Sequence, residues 1–232
     1  MTKANISLGS VLLSHEMKIY ELIDAAPVLL SLFSRLNIHL PFGDISVAEM
    51  CRRDGYNVKF FITLCAMHID VRHRPDVEEL TEDMLPEVIA YLRASHRYYA
   101  EQMLPHTAQH LEEVLAYCDN LSERVLRGFY DDYTRYIKRH FEEEEREIFT
   151  LMERGGEQNA NFALFDMPHT DIDDRSNDIA SLIVKSLPEA APTPLRCAML
   201  KGVYELRDDL RRHSNIETYV LRPLVEKFLK HQ

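Results

Sequence analysis

Residues 136–151 read YIKRHFEEEEREIFTL, and residues 209–224 read DLRRHSNIETYVLRPL. In both, apolar residues recur every three or four positions, the pattern of an amphipathic helix. On each apolar stripe a His is followed four residues later by a Glu, His140 with Glu144 and His213 with Glu217. Four residues turn about 400° on an α-helix, so both members of each pair lie on one face. That face is the one to be buried, where a charged group needs an opposite charge or a metal ion.

Working outward, the text after Pro86 divides into four segments of about 30 residues, each on the order of 45 Å long as a helix. The breaks are Cys118-Asp119-Asn120, Arg154-Gly155-Gly156, and the proline-rich stretch from Leu187 to Pro194. The first stripe is Ile89, Leu92, His96, Tyr99, Met103, with a kink or local unwinding expected at Pro105. The second is Val125, Phe129, Tyr133, Tyr136, His140, Glu144, Ile148, Leu151. The third is Phe162, Phe165, His169, Ile172, Asp173, Ile179, Ile183, and the fourth Met199, Leu206, Leu210, His213, Glu217, Val220, Leu224, Phe228. The expected fold is all-α: an antiparallel up-down-up-down four-helix bundle over 84–232, preceded by a small helical domain over 1–75. Ser46, with Glu49 three residues on, predicts a capping box within that N-terminal domain.

Spacing within a helix is weak support. With 38 acids in 232 residues, about two of the eleven histidines would have an acid at i+4 by chance, and three do. Height along the bundle is stronger. In an antiparallel hairpin, residues equidistant from the turn lie level. His96 and His140 are 44 apart about residue 118, and His169 and His213 are 44 apart about residue 191. His140 and His169 centre on Gly155-Gly156. All three midpoints fall in breaks, which puts four histidines at one height.

Composition narrows the partners. A formal net charge of −11 argues against a nucleic-acid ligand, since phosphate binding needs clustered Lys and Arg. No apolar run approaches the ~20 residues of a membrane span. The first residues lack the pattern of a secretory signal, so a cytoplasmic location is expected. Four scattered cysteines form no C-x-x-C pair, which argues against a disulfide framework or a thiolate zinc site. No covalent nucleophile or Gly-rich phosphate loop stands out. His106 and His110 share a face but fall more than ~15 Å along the helix from His96, and are read as surface residues. Four imidazoles with two carboxylates suit two ions in one site, each Glu bridging. Nitrogen and oxygen donors fit iron, manganese or zinc, with redox-active iron the best match. The Glu-x-x-His motif of ferritin-like bundles is absent.

These residues resemble the haemerythrin-like (HHE) cation-binding domain, and within it the di-iron proteins that repair iron–sulfur clusters. The likeness rests on Ser95-His96-Arg97, the run His140 to Glu144 with Glu145 to Phe149 after it, Pro168-His169-Thr170, and the run His213 to Glu217 with Thr218 to Pro223 after it. It extends to the N-terminal region through Ile19 to Leu22, Leu32 to Leu36 and Val47 to Cys51. The family's paired cysteines would fall near 41–44, where this chain has Pro41-Phe42-Gly43-Asp44. The resemblance implies His96, His140, Glu144, His169, His213 and Glu217 as ligands of two non-haem iron ions, oxo- or hydroxo-bridged. It implies a stress-response role in restoring clusters damaged by nitric oxide or oxidants, through iron donation or redox chemistry, with damaged iron–sulfur proteins as partners. The alternative is a carrier or sensor of O2 or nitric oxide without turnover. Asp173 stands where oxygen-carrying haemerythrins have a His, and is either a further ligand or a carboxylate that orients one.

Overall fold

The computed structural model describes residues 5–8, 11–39, 41–154 and 170–230. Helices dominate. The one sheet among the described residues is a hairpin, β1 (Asn5–Leu8) antiparallel to β2 (Val11–Ser14), with Asn5 opposite Ser14 and Leu8 opposite Val11. Helices alone were expected in this region. In hindsight Ile6 and Leu8, then Val11 and Leu13, alternate about Gly9-Ser10, which is a hairpin signature. The strands are only four residues each and leave a weak signal beside the helical text that follows. No described helix is long and apolar enough to cross a membrane.

Two compact units are formed, one by residues 1–94 with 212–232 and the other by 95–211. The first contains α1 (Ile19–Ala25), α2 (Leu29–Arg35), α3 (Val47–Asp54) and α4 (Val58–Ile69). It also takes most of α5 (Leu85–Tyr98), the last turn of α10 (Thr193–Ile216), and α11 (Arg222–Lys230). The capping box is present: Glu49 N–H donates to Ser46 Oγ at 3.2 Å, and Ser46 N–H to Glu49 Oε2 at 2.7 Å. Helix α3 then stops at Gly55, whose φ of 81° is a left-handed conformation that a side chain resists.

Helix α4 is buried without a break from Phe60 to His68, as suits a helix apolar on every side. Truncating one of its large residues to Ala would cost about 2–5 kcal/mol. Its C-terminal end braces α10. The His68 carbonyl accepts from Arg212 Nε and the Val71 carbonyl from Asn215 Nδ2, each at 3.0 Å. These two bonds flank His213 on the same helical turn. A buried polar trio lies alongside: Arg35 Nη1 donates to the Tyr91 hydroxyl at 3.3 Å, which is 2.8 Å from His68 Nε2.

The second unit holds α6 (Leu104–Leu115), α7 (Asn120–Glu144), α8 (Thr150–Glu153) and α9 (Thr170–Ser186), with most of α10. Its core includes Leu111, Val114, Leu126, Tyr130, Ile137, Ile179, Met199 and Leu206. Two of the breaks read from the sequence separate helices here. Asp119 caps α7 by accepting from Leu121 and Ser122 N–H, and α9 ends at Ser186 before α10 opens at Thr193.

The inward face of α7 differs from the expected stripe at its N-terminal half. Val125 and Phe129 are exposed (41% and 55%), whereas Leu126, Tyr130, Tyr133 and Ile137 are buried. Both ladders have helical spacing and sit about 100° apart on the helix. The sequence offers apolar residues on each, and packing against α9 and α10 selects the second.

Candidate metal centre

Among the described residues, three helical stretches slip into π-turns: Tyr99–Met103, Glu145–Phe149 and Glu217–Leu221. In each, the next N–H bonds five residues back, Leu104 to Tyr99, Thr150 to Glu145 and Arg222 to Glu217. Two have an evident cause. Pro105 and Pro223 cannot donate to the carbonyl four residues earlier, and a wider turn before them absorbs the misfit. This is the local unwinding expected at Pro105. In the third, the Thr150 hydroxyl donates to the Glu145 carbonyl at 2.7 Å. Every π-turn begins at, or within three residues of, a candidate ligand: His96, Glu144 and Glu217. Such turns aim side chains in directions a regular helix does not offer.

In the second unit His96, His140 and Glu144 are all buried. Glu144 takes both imidazoles, with His140 Nε2 2.9 Å from Oε1 and His96 Nε2 3.3 Å from Oε2. Burial pushes the Glu144 carboxyl up, but hydrogen bonds from His140 and His96 outweigh it and hold the group well below the ordinary carboxylate value. The His96 ring is stacked between Phe141 (centroids 4.1 Å apart) and Phe149 (5.5 Å). In the first unit His213 and Glu217 are 1% and 3% exposed, with His213 Nε2 2.9 Å from Glu217 Oε1.

Buried His96 and Glu144 of the second unit and buried His213 and Glu217 of the first make up the set that could hold a metal ion. Its donors are imidazole nitrogen and carboxylate oxygen, which suit iron, zinc or manganese, and no thiolate joins them. The residues present fit a cation of that class.

His140 reaches the group through Glu144. His169 lies outside the described residues. Asp173 is part-exposed, with Oδ2 3.9 Å from Arg211 Nε in an ion pair. His106 is exposed and His110 half-buried beside Glu113, and the residues that come together are elsewhere. One contributor was missed. The run from Glu142 to Glu145 reads as a solvated face with only Glu144 turned inward, yet Glu145 Oε1 is 2.9 Å from His96 Nδ1. Glu145 lies next to an inward-facing Glu on a regular helical turn, and neighbours there point about 100° apart, so spacing has no distinctive signal for its contact.

Buried imidazoles and carboxylates set on helices define a helical cation-binding protein. The chain belongs to the haemerythrin family: the Hemerythrin HHE cation binding domain matches residues 87–225, more than half its length. Cation binding, typically of iron, follows from that membership. No curated protein gives a significant match.

Proposed function

We propose that His96, His140, Glu144, His169, His213 and Glu217 together hold two iron ions in an antiparallel up-down-up-down bundle over 84–232. A small helical N-terminal domain over 1–75 precedes it. On this reading the protein acts in the cytoplasm to restore iron–sulfur clusters damaged by nitric oxide or oxidants, by iron donation or redox chemistry. The observation that carries the reading is the buried Glu144 carboxylate, with His140 Nε2 2.9 Å and His96 Nε2 3.3 Å from its two oxygens.

Non-haem iron at these residues would supply one-electron chemistry, open positions for diatomic ligands, and releasable metal. The chain's own part is to prepare the place. Glu144, held anionic among buried groups, presents negative charge to an incoming cation. His140, His96 and His213 would bind through an unprotonated ring nitrogen, so uptake weakens in acid. Phe141 and Phe149 stack nearly parallel to the His96 ring and set its plane.

Metal analysis of protein produced with ample iron tests this directly. About two irons per chain are expected, with marked loss in each of His96→Ala, His140→Ala, His169→Ala and His213→Ala. Unchanged metal content in all four variants would sink the reading. A second reading, a carrier or sensor of O2 or nitric oxide, draws support from Pro41-Phe42-Gly43-Asp44 standing where the repair family has paired cysteines. Iron transfer to a metal-free cluster protein favours repair. A stable, reversible O2 or nitric oxide adduct without transfer favours the carrier.

A further inference from the structure

We infer that Glu145 is a positioning residue for the metal centre: its carboxylate accepts the Nδ1–H of His96 and thereby commits Nε2 of that ring to metal binding. The inference rests on the reading of His96 as a ligand and adds a residue outside the six.

The two restraints on His96 are distinct. Phe141 and Phe149 lie nearly parallel to the imidazole, at interplanar angles of 13° and 15°. Stacking of this kind sets the plane of the ring but is indifferent to a half-turn within it. That half-turn exchanges Nδ1 with a ring carbon, and Nε2 with another, and would point C–H where a ligand nitrogen is needed. Only a polar partner at the ring's edge can tell the two orientations apart. Glu145 Oε1 lies 2.9 Å from Nδ1, and Glu144 Oε2 lies 3.3 Å from Nε2 on the other side. Bound metal would replace the Nε2 proton that faces Glu144, leaving Glu145 as the contact that fixes the ring's sense. Ligating histidines commonly donate their second N–H to such an acceptor.

The setting supports a role beyond packing. The His96 side chain is 4% exposed and that of Glu145 40%. Glu145 also lines a cavity of about 290 Å³ with His96, Ala100, Glu101, Lys138 and Glu142. A residue serving only to fill space would not keep its carboxylate at the edge of an open cavity while reaching a buried ring. As an anionic acceptor it also makes the imidazole a stronger donor, which favours the more oxidised state of a bound iron.

The test compares full-length parent, Glu145→Gln and Glu145→Ala, with Glu147→Ala as a neighbouring control. Gln keeps an acceptor oxygen and removes the charge, whereas Ala removes both. In the metal-free proteins, nitrogen NMR of the His96 ring should show a bonded Nδ1–H in the parent and in Glu145→Gln, lost in Glu145→Ala. Iron affinity should fall about 10–100-fold in Glu145→Ala and stay near the parent in Glu145→Gln. The iron reduction potential should rise in Glu145→Gln, a change that lost packing would not produce. An unchanged His96 signal, or parental iron affinity, in Glu145→Ala overturns the inference. A parent that takes up no iron overturns the di-iron reading itself, and the NMR comparison then still decides whether Glu145 orients His96.

Discussion

Replacing Tyr91 by Phe removes a single oxygen atom from the interior of the first unit and leaves the ring in place. Tyr91 is 1% exposed, His68 0% and Arg35 7%, so the trio is almost wholly shielded from water. The hydroxyl accepts from Arg35 Nη1 at 3.3 Å and lies 2.8 Å from His68 Nε2. A neutral hydrogen bond contributes about 0.5–1.5 kcal/mol and one to a charged group about 1.5–3 kcal/mol, so losing both should cost roughly 2–4 kcal/mol. For a chain of this size each kcal/mol moves the midpoint by about 2–4 °C, which places the drop at roughly 5–15 °C. Thermal and urea unfolding of Tyr91→Phe beside Tyr20→Phe would measure it, since Tyr20 is 54% exposed and should tolerate the change. If Tyr91→Phe melts within about 1 °C of the parent, the trio contributes nothing and the reasoning fails. Arg35→Met in the Tyr91→Phe background should then cost less than in the parent, the mark of groups that act together.

Ser at Val125 or Phe129 should change stability by no more than about 0.5 kcal/mol, while Tyr130→Ala should cost about 3–5 kcal/mol; comparable losses at all three would restore the discarded stripe. Burial pushes the Cys51 thiol up to about 12, and Cys65 is raised in the same way, whereas Cys197 is exposed. Only about one Cys51 in 10⁴ is then thiolate at pH 8, and a Cys197→Ser variant that still shows rapid labelling of the buried thiols would contradict the burial. Because the folded Glu144 carboxyl is held below its ordinary value of 4.5, the stability it supplies is complete above that value and is lost as pH falls through the lower one. Metal-free parent should therefore lose melting temperature on acidification more steeply than Glu144→Gln, and equal slopes would remove the argument.

Much of the fold could be read before any coordinates, and the reasons are specific. Helical spacing, the capping signal of Ser46 and the break at Cys118-Asp119-Asn120 are local, so α3 begins where Ser46 predicts and α7 begins at that break. The buried pairs His140–Glu144 and His213–Glu217 were legible because a polar residue on an apolar stripe breaks the pattern that surrounds it. Which of two overlapping stripes on α7 turns inward was not legible, because neighbouring helices decide that. Nor was Glu145: adjacent residues on a regular helix point about 100° apart, so spacing does not predict that Glu144 and Glu145 meet one imidazole. The hairpin escaped for a third reason, its brevity.

The bracing of α10 by the end of α4 bears on any attempt to trim this protein to its recognisable part. The family match spans 87–225 and omits everything that carries the carbonyls of His68 and Val71. A chain cut to those limits would leave Arg212 and Asn215 reaching into solvent on either side of His213, with the apolar surfaces once covered by α4 laid bare. Its failure to keep metal, or to stay soluble, would then report the amputation rather than the merit of the ligands.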